Sequence, residues 1–253
     1  MSTLARTLRK VPEITVYFWI IKLLSTGMGE VTSDFLVHTL NPIFAVVLGG
    51  LGLGIALILQ FVSRKYIPWV YWLAVVMVAV FGTMAADVLH IGFGIPYIVT
   101  SVFFFFALCA IFIIWYKSEK TLSIHSITNP KKELFYWATV MATFALGTAV
   151  GDMTATTMSL GYLSSGILFG VLITLPAFGF WRFGLSEISA FWIAYILTRP
   201  LGASFADWVG RSQSLGGLGI GTGQVSLFLT ILIILFVGYL TLTKKDIKGQ
   251  KYP

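Results

Sequence analysis

The sequence contains few charged residues: Asp, Glu, Lys and Arg make up 11% of 253 residues. Hydrophobic residues make up 57% and the mean hydropathy is +0.90, which excludes an ordinary soluble domain. Cysteine is nearly absent, because Cys109 stands alone and can form no disulfide within the chain. No CxxC, HExxH or Ser/His/Asp pattern occurs, so we do not expect an enzyme.

Eight apolar runs are each about 20 residues long, which is the length that crosses a bilayer. They predict an all-α polytopic membrane protein with eight transmembrane helices and no soluble domain. The predicted helices 1 to 8 lie at residues 14–36, 43–63, 69–90, 95–116, 134–158, 163–181, 188–209 and 223–243.

The basic residues fall on one side of this predicted topology. They cluster before helix 1 and after helices 2, 4, 6 and 8, whereas the connections after helices 1, 3 and 5 have none and the one after helix 7 has only Arg211. The positive-inside rule therefore predicts that both termini are cytoplasmic. This distribution explains the net charge of +7 by membrane topology, so we do not expect a nucleic-acid partner. The expected partners are the lipid bilayer and a small cation.

A sequence pattern occurs four times along the chain. In each copy an aromatic residue precedes a tryptophan, a glycine follows ten positions after the tryptophan, and an aspartate fifteen positions after it. Such self-similarity indicates one structural unit that was copied. The copies are Trp19, Gly29 and Asp34; Trp72, Gly82 and Asp87; Trp137, Gly147 and Asp152; and Trp192, Gly202 and Asp207. We place the repeats at about 12–64, 65–117, 131–182 and 186–243 of a single membrane domain, 1–253, with a plain linker, 117–133, between the two halves.

Each repeat holds two predicted helices, so all four insert in the same orientation and form a parallel repeat about an axis along the membrane normal. Fifteen residues of helix span about 22 Å, which places the four aspartates at a similar depth on the outer side. We expect the tryptophans near the cytoplasmic headgroups as an aromatic belt. The glycines should let a neighbouring helix come close.

The acidic residues inside apolar runs are the candidate functional residues, because an ionisable group at membrane depth is costly and is functional by default. Glu30 stands four positions before Asp34, and the matching positions hold Thr83, Thr148 and Ala203. Carboxylates and hydroxyls suit divalent cations such as Mn²⁺, Mg²⁺ or Ca²⁺. We predict an ion-binding site formed by Glu30, Asp34, Asp87, Asp152, Asp207, Thr83 and Thr148. As metal ligands we name Asp34, Asp87, Asp152, Asp207 and His90, with His38 as a further nitrogen donor.

Simpler roles exist for these residues. Each aspartate could cap a helix end, and the histidines could be interfacial loop residues. Arg199, eight positions before Asp207, is expected to pair with Asp207 or Glu30, or to contact an anion. Lys22 is expected to snorkel to the cytoplasmic interface, with membership of the same network as the alternative.

The four tryptophan-containing units resemble a family of bacterial membrane proteins of unknown function, the domain-of-unknown-function 347 repeat. The resemblance covers nearly the whole chain, with Trp19, Trp72, Trp137 and Trp192 as the characteristic tryptophans. It implies an eight-helix protein of the bacterial inner membrane and implies no activity.

Three functions follow from the residues. The leading hypothesis is a cation transporter or exporter for a divalent metal such as Mn²⁺, coupled to protons through the carboxylates, with no cofactor beyond a bound divalent cation. The second is a channel or proton-coupled carrier of a small organic solute that uses Arg199. The third is a membrane anchor or regulatory protein. A homo-oligomer through the phenylalanine-rich helix 4 is a further expectation.

Overall fold

The computed structural model describes residues 9–247, which form nine α-helices and no strand. The α-helices are α1 Val16–Thr39, α2 Pro42–Val62, α3 Pro68–Asp87, α4 Tyr97–Glu119, α5 Pro130–Asp152, α6 Gly161–Leu172, α7 Thr174–Phe183, α8 Glu187–Gly210 and α9 Thr222–Thr243. A π-helical turn follows α3 at Val88–Gly92, and another follows α5 at Met153–Thr157.

Local sequence signals set these helix boundaries. The side chains of Asn41 and Asn129 accept hydrogen bonds from the first backbone N–H groups of α2 and α5, each just before a proline. The predicted helix 6 is divided into α6 and α7. Pro176 has no N–H to donate to the carbonyl of Leu172, the residue at which α6 ends.

The first helices of the four repeats form a closed ring. Helix α1 packs on α3, α3 on α5, α5 on α8, and α8 on α1 again. At each contact the repeat glycine faces the residue eight positions before the aspartate of the next repeat, where an added Cβ would overlap its neighbour. The facing pairs are Gly29 with Ala79, Gly82 with Phe144, Gly147 with Arg199, and Gly202 with Thr26. The predicted close approach at the glycines is therefore found at all four contacts.

The second helices surround this ring. Each packs most extensively on the first helix of the following repeat: α2 on α3, α4 on α5, α6 and α7 on α8, and α9 back on α1. The last repeat thus packs on the first, and the parallel repeat closes on itself.

The tryptophans pack inside the ring, so the prediction of a headgroup belt is wrong for them. Trp72, Trp137 and Trp192 are buried, and Trp19 is partly buried. Each lies against the aromatic residue of the preceding repeat, which makes a ring of eight side chains. Ring centroids are 5.7 Å apart for Phe18–Trp72, 5.7 Å for Tyr71–Trp137, 6.3 Å for Tyr136–Trp192 and 5.7 Å for Phe191–Trp19. We call this side of the bundle the aromatic end and the side of the aspartates the acid end.

The segment between the two halves is not a plain linker. Ile124 and Ile127 are buried, and the carbonyl of Leu122 accepts a hydrogen bond from Trp192 Nε1 at 2.9 Å. This segment therefore covers the aromatic end.

Glu133, at the start of α5, belongs to a buried polar network at the same end. Lys10 Nζ donates to Glu133 Oε2 at 2.6 Å, and Gln60 Nε2 donates to Glu133 Oε1 at 2.9 Å. The N-terminal segment is thereby fixed against the start of α5, next to the end of α2.

Six of the helical segments in residues 9–247 are long and apolar enough to cross a membrane: 42–62, 68–92, 97–119, 130–157, 161–183 and 222–243. The remaining two, α1 and α8, are 24 residues long and bury five charged side chains in the bundle: Lys22, Glu30, Asp34, Arg199 and Asp207. The protein is thus an all-helical membrane protein, and eight crossings remain a prediction.

Candidate functional site

The first helices place equivalent residues in layers along the axis of the ring. The layer four positions before the aspartates holds Glu30 and its equivalents, and the layer eight positions before them holds Arg199 and its equivalents. The layer twelve positions before them includes Lys22 and Tyr195. Residues four apart lie on nearly the same face of a helix, so each ring helix presents these layers to the others.

Arg199 is completely buried and lies in the middle of the ring. Its Nη2 lies 2.5 Å from Glu30 Oε2 and 2.8 Å from Thr148 Oγ1, and also donates to Thr83 Oγ1. These acceptors occupy the same repeat position in the other three repeats, whereas repeat 4 has the small Ala203 there. The predicted pairing of Arg199 with Glu30 is therefore confirmed, and the one with Asp207 is wrong.

Asp207 instead pairs with Arg211, which also binds the aspartate of repeat 1. Arg211 Nη2 lies 2.5 Å from Asp34 Oδ2, and its Nε lies 3.2 Å from Asp207 Oδ1. Arg211 stands one turn after Asp207 at the end of α8. One guanidinium therefore pairs with the aspartates of repeats 1 and 4 together, which leaves one formal negative charge.

Three of the predicted acids come together at one point. Glu30, Asp34 and Asp207 each offer an oxygen within 4.8 Å of the others. Because Arg199 and Arg211 already bind these oxygens, a cation would have to compete with two guanidinium groups here.

Asp87 and Asp152 differ from this arginine-bound group. Neither carboxylate makes a hydrogen bond or ion pair with any described residue, although the backbone carbonyl of Asp152 accepts one from Thr156 Oγ1, and both residues are partly exposed. They lie within electrostatic range of one another and of Glu30. The acids of repeats 2 and 3 are thus the ones available to a ligand.

The segments that follow these two aspartates share further features. A π-helical turn begins directly after each, and a tyrosine stands ten positions on, Tyr97 in repeat 2 and Tyr162 in repeat 3. Both tyrosines are partly exposed and within electrostatic range of Asp152. Single π turns occur often at functional sites, because they widen a helix locally.

The histidines lie beside the site. His90 Nδ1 is 2.6 Å from the carbonyl oxygen of Ile95, and its ring stacks on Tyr97. If Nδ1 donates to that carbonyl, the lone pair is on Nε2, as in many metal-binding histidines. His38 Nδ1 lies 2.7 Å from the carbonyl oxygen of Asp34. Ligation by His90 stays a prediction.

Lys22 does not snorkel to an interface. It is 1% exposed, and its ammonium lies 3.9 Å from the ring centre of Phe144 and 4.0 Å from that of Tyr195. Its predicted position is wrong because the aromatic end closes over it.

Sequence reasoning missed Arg211, Tyr97 and Tyr162 as parts of the site. Two signals were available. Arg211 is the lone basic residue on its predicted side and stands four positions after Asp207, and the tyrosines share one spacing from their aspartates.

A cavity of about 1000 Å³ lies elsewhere, between α2 and α9 on the side of the bundle. Its lining is almost entirely apolar and includes none of the five acids, nor Arg199. Its position therefore does not support binding of an organic solute at Arg199.

The ring of copied helices and its buried charges define a membrane protein built from parallel two-helix repeats. The model of one family, described as Repeat of Unknown Function (DUF347), matches residues 17–66, 70–121, 135–184 and 190–246. The chain therefore belongs to this repeat family. No curated protein and no solved structure matches it.

Proposed function

We propose that this protein is a cation transporter of the membrane, with Asp87 and Asp152 as the primary cation ligands. The observation that supports this most directly is the imbalance of charge at the acid end. Five carboxylates surround the axis there, whereas the cationic side chains paired with them are Arg199 and Arg211. The formal excess of three negative charges favours a bound cation, and such an excess is costly at membrane depth if nothing offsets it.

The partners of the acids divide them into two groups. Asp34 and Asp207 bind Arg211, and Glu30 binds Arg199, so these three keep the site assembled. Asp87 and Asp152, with the hydroxyls of Tyr97 and Tyr162 nearby, offer the hard oxygen donors that Mn²⁺, Mg²⁺ and Ca²⁺ prefer. Because carboxylates that release a metal can take up protons, exchange of a metal for protons is the expected coupling.

The basic clusters at the aromatic end support a cytoplasmic position for that end by the positive-inside rule, with the acid end facing outward in an inner membrane as part of the proposal. Below the acids the axis is filled by Arg199, Lys22 and the aromatic ring, all buried. A carrier that rearranges during transport fits this packing better than a permanently open channel. The donors of Arg199 are engaged by Glu30, Thr83 and Thr148, which argues against an anionic solute there.

The test is cation-dependent thermal stabilisation of the purified protein. Mn²⁺, Mg²⁺, Ca²⁺ and Zn²⁺ are compared with tetramethylammonium, which would reveal a preference for organic cations. At about 100 times Kd a bound cation should stabilise the protein by about 2.7 kcal/mol. The double variant Asp87→Asn/Asp152→Asn should lose this effect, whereas Glu187→Gln, an exposed acid at the aromatic end, should keep it.

Uptake into proteoliposomes with an imposed pH gradient then tests transport by the same variants. If no cation stabilises the wild-type protein, or if the double variant responds as the wild type does, the proposal is wrong.

A further inference from the structure

Lys22 is a buried cation for which the described residues supply no hydrogen-bond acceptor. It lies in α1, two layers below Glu30, and the faces of Phe144 and Tyr195 enclose its ammonium. Aromatic faces attract a cation, but they do not replace the three acceptors that an ammonium has in water. This environment also suits the neutral amine.

The charges around Lys22 link its protonation to cation binding at the acid end. Arg199 on α8 lies within electrostatic range of Lys22, and the guanidinium carbon of Arg199 lies 5.6 Å from the same Phe144 ring. Glu30 on α1 neutralises Arg199. Among the described residues, the other titratable groups on this side of Lys22 are the hydroxyls of Tyr195 on α8 and, towards the aromatic end, of Tyr71 on α3 and Tyr136 on α5. A cation that draws Glu30 towards the acid end would leave Arg199 less neutralised, and the repulsion on Lys22 would increase.

Tyrosine hydroxyls extend from Lys22 to the aromatic end. The hydroxyl of Tyr195 is buried and, like Lys22 Nζ, has no hydrogen-bond partner among the described residues, whereas the hydroxyls of Tyr136 and Tyr71 are 2.5 Å apart. Proton transfer from Lys22 to Tyr136 therefore requires the Tyr195 hydroxyl to move between them. The ring of Tyr66 follows at 5.7 Å from Tyr71, and its hydroxyl donates to the carboxylate of Asp246.

Packing alone does not require these hydroxyls. Repeats 1 and 4 have Phe18 and Phe191 where repeats 2 and 3 have Tyr71 and Tyr136, and all four rings lie in the same aromatic ring. Phenylalanine therefore fits this layer, and two buried hydroxyls call for another explanation.

We propose that Lys22 exchanges a proton when a cation binds, and that Tyr195, Tyr136 and Tyr71 carry this proton to and from the aromatic end. This inference rests on the proposed cation transport and adds the group that couples it to protons. When a cation binds, an N–H bond of the Lys22 ammonium breaks and its proton passes to Tyr195. Each hydroxyl in turn accepts one proton and releases another, so one proton leaves through the buried Asp246, whose chain neighbours Lys245 and Ile247 are exposed, and the neutral amine remains. Cation release reverses every step.

The first measurement is the number of protons released per cation bound, followed with a pH indicator in weakly buffered detergent solution. Lys22→Met should release about one proton fewer per Mn²⁺ bound than the wild type. Lys117→Met, which removes an exposed lysine of α4, should match the wild type. An unchanged count in Lys22→Met at retained Mn²⁺ binding overturns the inference and leaves the proposed function standing.

The conservative variant Tyr136→Phe tests the path without altering the charge. It should slow proton release at least tenfold at unchanged Mn²⁺ affinity, whereas Tyr116→Phe on the exposed face of α4 should not. Equal release rates in wild type and Tyr136→Phe contradict the path.

A third measurement does not depend on cation binding. The ¹³Cε signal of Lys22, assigned by its loss in Lys22→Met, should show the neutral form at a pH at which an ordinary lysine, with a pKa of about 10.4, is still charged. A signal that stays in the charged form up to pH 10 refutes proton exchange at Lys22, whatever the cation experiments give. If no cation binds the wild type but this titration is seen, the proposed cation transport is wrong and proton exchange at Lys22 stands.

Discussion

Repeats 2 and 3 differ from repeats 1 and 4 although all four share one pattern. In repeats 1 and 4, Asp34 and Asp207 are bound by Arg211, and Glu30 is bound by Arg199. In repeats 2 and 3, Asp87 and Asp152 have no such partner among the described residues. Duplication therefore set the position of the acids, and substitutions at a few equivalent positions divided them into structural and available ones.

The helix ends differ in the same way. Helices α3 and α5 give way to a π-helical turn directly after their aspartates, whereas α1 and α8 continue as α-helices to Thr39 and Gly210. The wider turns place Tyr97 and Tyr162 beside the free acids, while the straight end of α8 brings Arg211 to the bound ones. We expect the two pairs of repeats to respond oppositely to mutation.

The largest effect is expected from Arg199→Met, which leaves Glu30 buried without a partner. Removal of one member of a buried ion pair costs about 3–5 kcal/mol. Denaturant unfolding in detergent measures the loss. The double variant Arg199→Met/Glu30→Met should recover most of it in a double-mutant cycle. If the two losses simply add, Arg199 and Glu30 are not coupled.

Gly147→Ala should be next, because a Cβ there would overlap the side chain of Arg199 and the ring of Pro200. Overpacking of this kind costs about 1–3 kcal/mol. Gly54→Ala is the matched control, since no atom lies within 4 Å of its added Cβ. Equal unfolding free energies for the two variants would show that the ring contact is not tight.

The aspartates allow a direct comparison of the two pairs of repeats. Asp207→Asn weakens a charged hydrogen bond to Arg211 and should cost about 1.5–3 kcal/mol. Asp152→Asn removes an unpaired carboxylate and should leave the unfolding free energy unchanged or raise it. Thermal unfolding in cation-free buffer measures both. A greater loss in Asp152→Asn than in Asp207→Asn would reverse the assignment of bound and available acids.

The smallest effect concerns the tyrosines beside the free acids. Tyr97→Phe or Tyr162→Phe removes one hydroxyl near the proposed cation, and one hydrogen bond contributes about 1 kcal/mol, or about a fivefold change in cation Kd. Titration calorimetry with the best-bound cation measures it. Tyr239→Phe, at the other end of the protein, is the control and should bind as the wild type does. Unchanged affinity in both site variants would remove the tyrosines from the site.

Much of the architecture could be predicted from local pattern. The apolar runs located the helices, and the spacing of glycine and aspartate predicted close parallel packing with the acids on one face. The division of the predicted helix 6 at Leu172 and the π turns after Asp87 and Asp152 were not predicted as such. Contacts from a neighbouring helix were missed for the same reason in each case: sequence spacing fixes where a side chain lies on its own helix and not what faces it from the next one.

The sequence by itself determined the four-fold repeat, the membrane environment and the shared level of the aspartates, because helical periodicity and apolar length are properties of each segment alone. Only the tertiary structure decided that Arg199 binds Glu30, that Arg211 joins Asp34 to Asp207, and that Lys22 is enclosed. Those pairings depend on closure of the ring, which brings residues of the first and last repeats within a few ångströms of each other across more than 160 positions of chain.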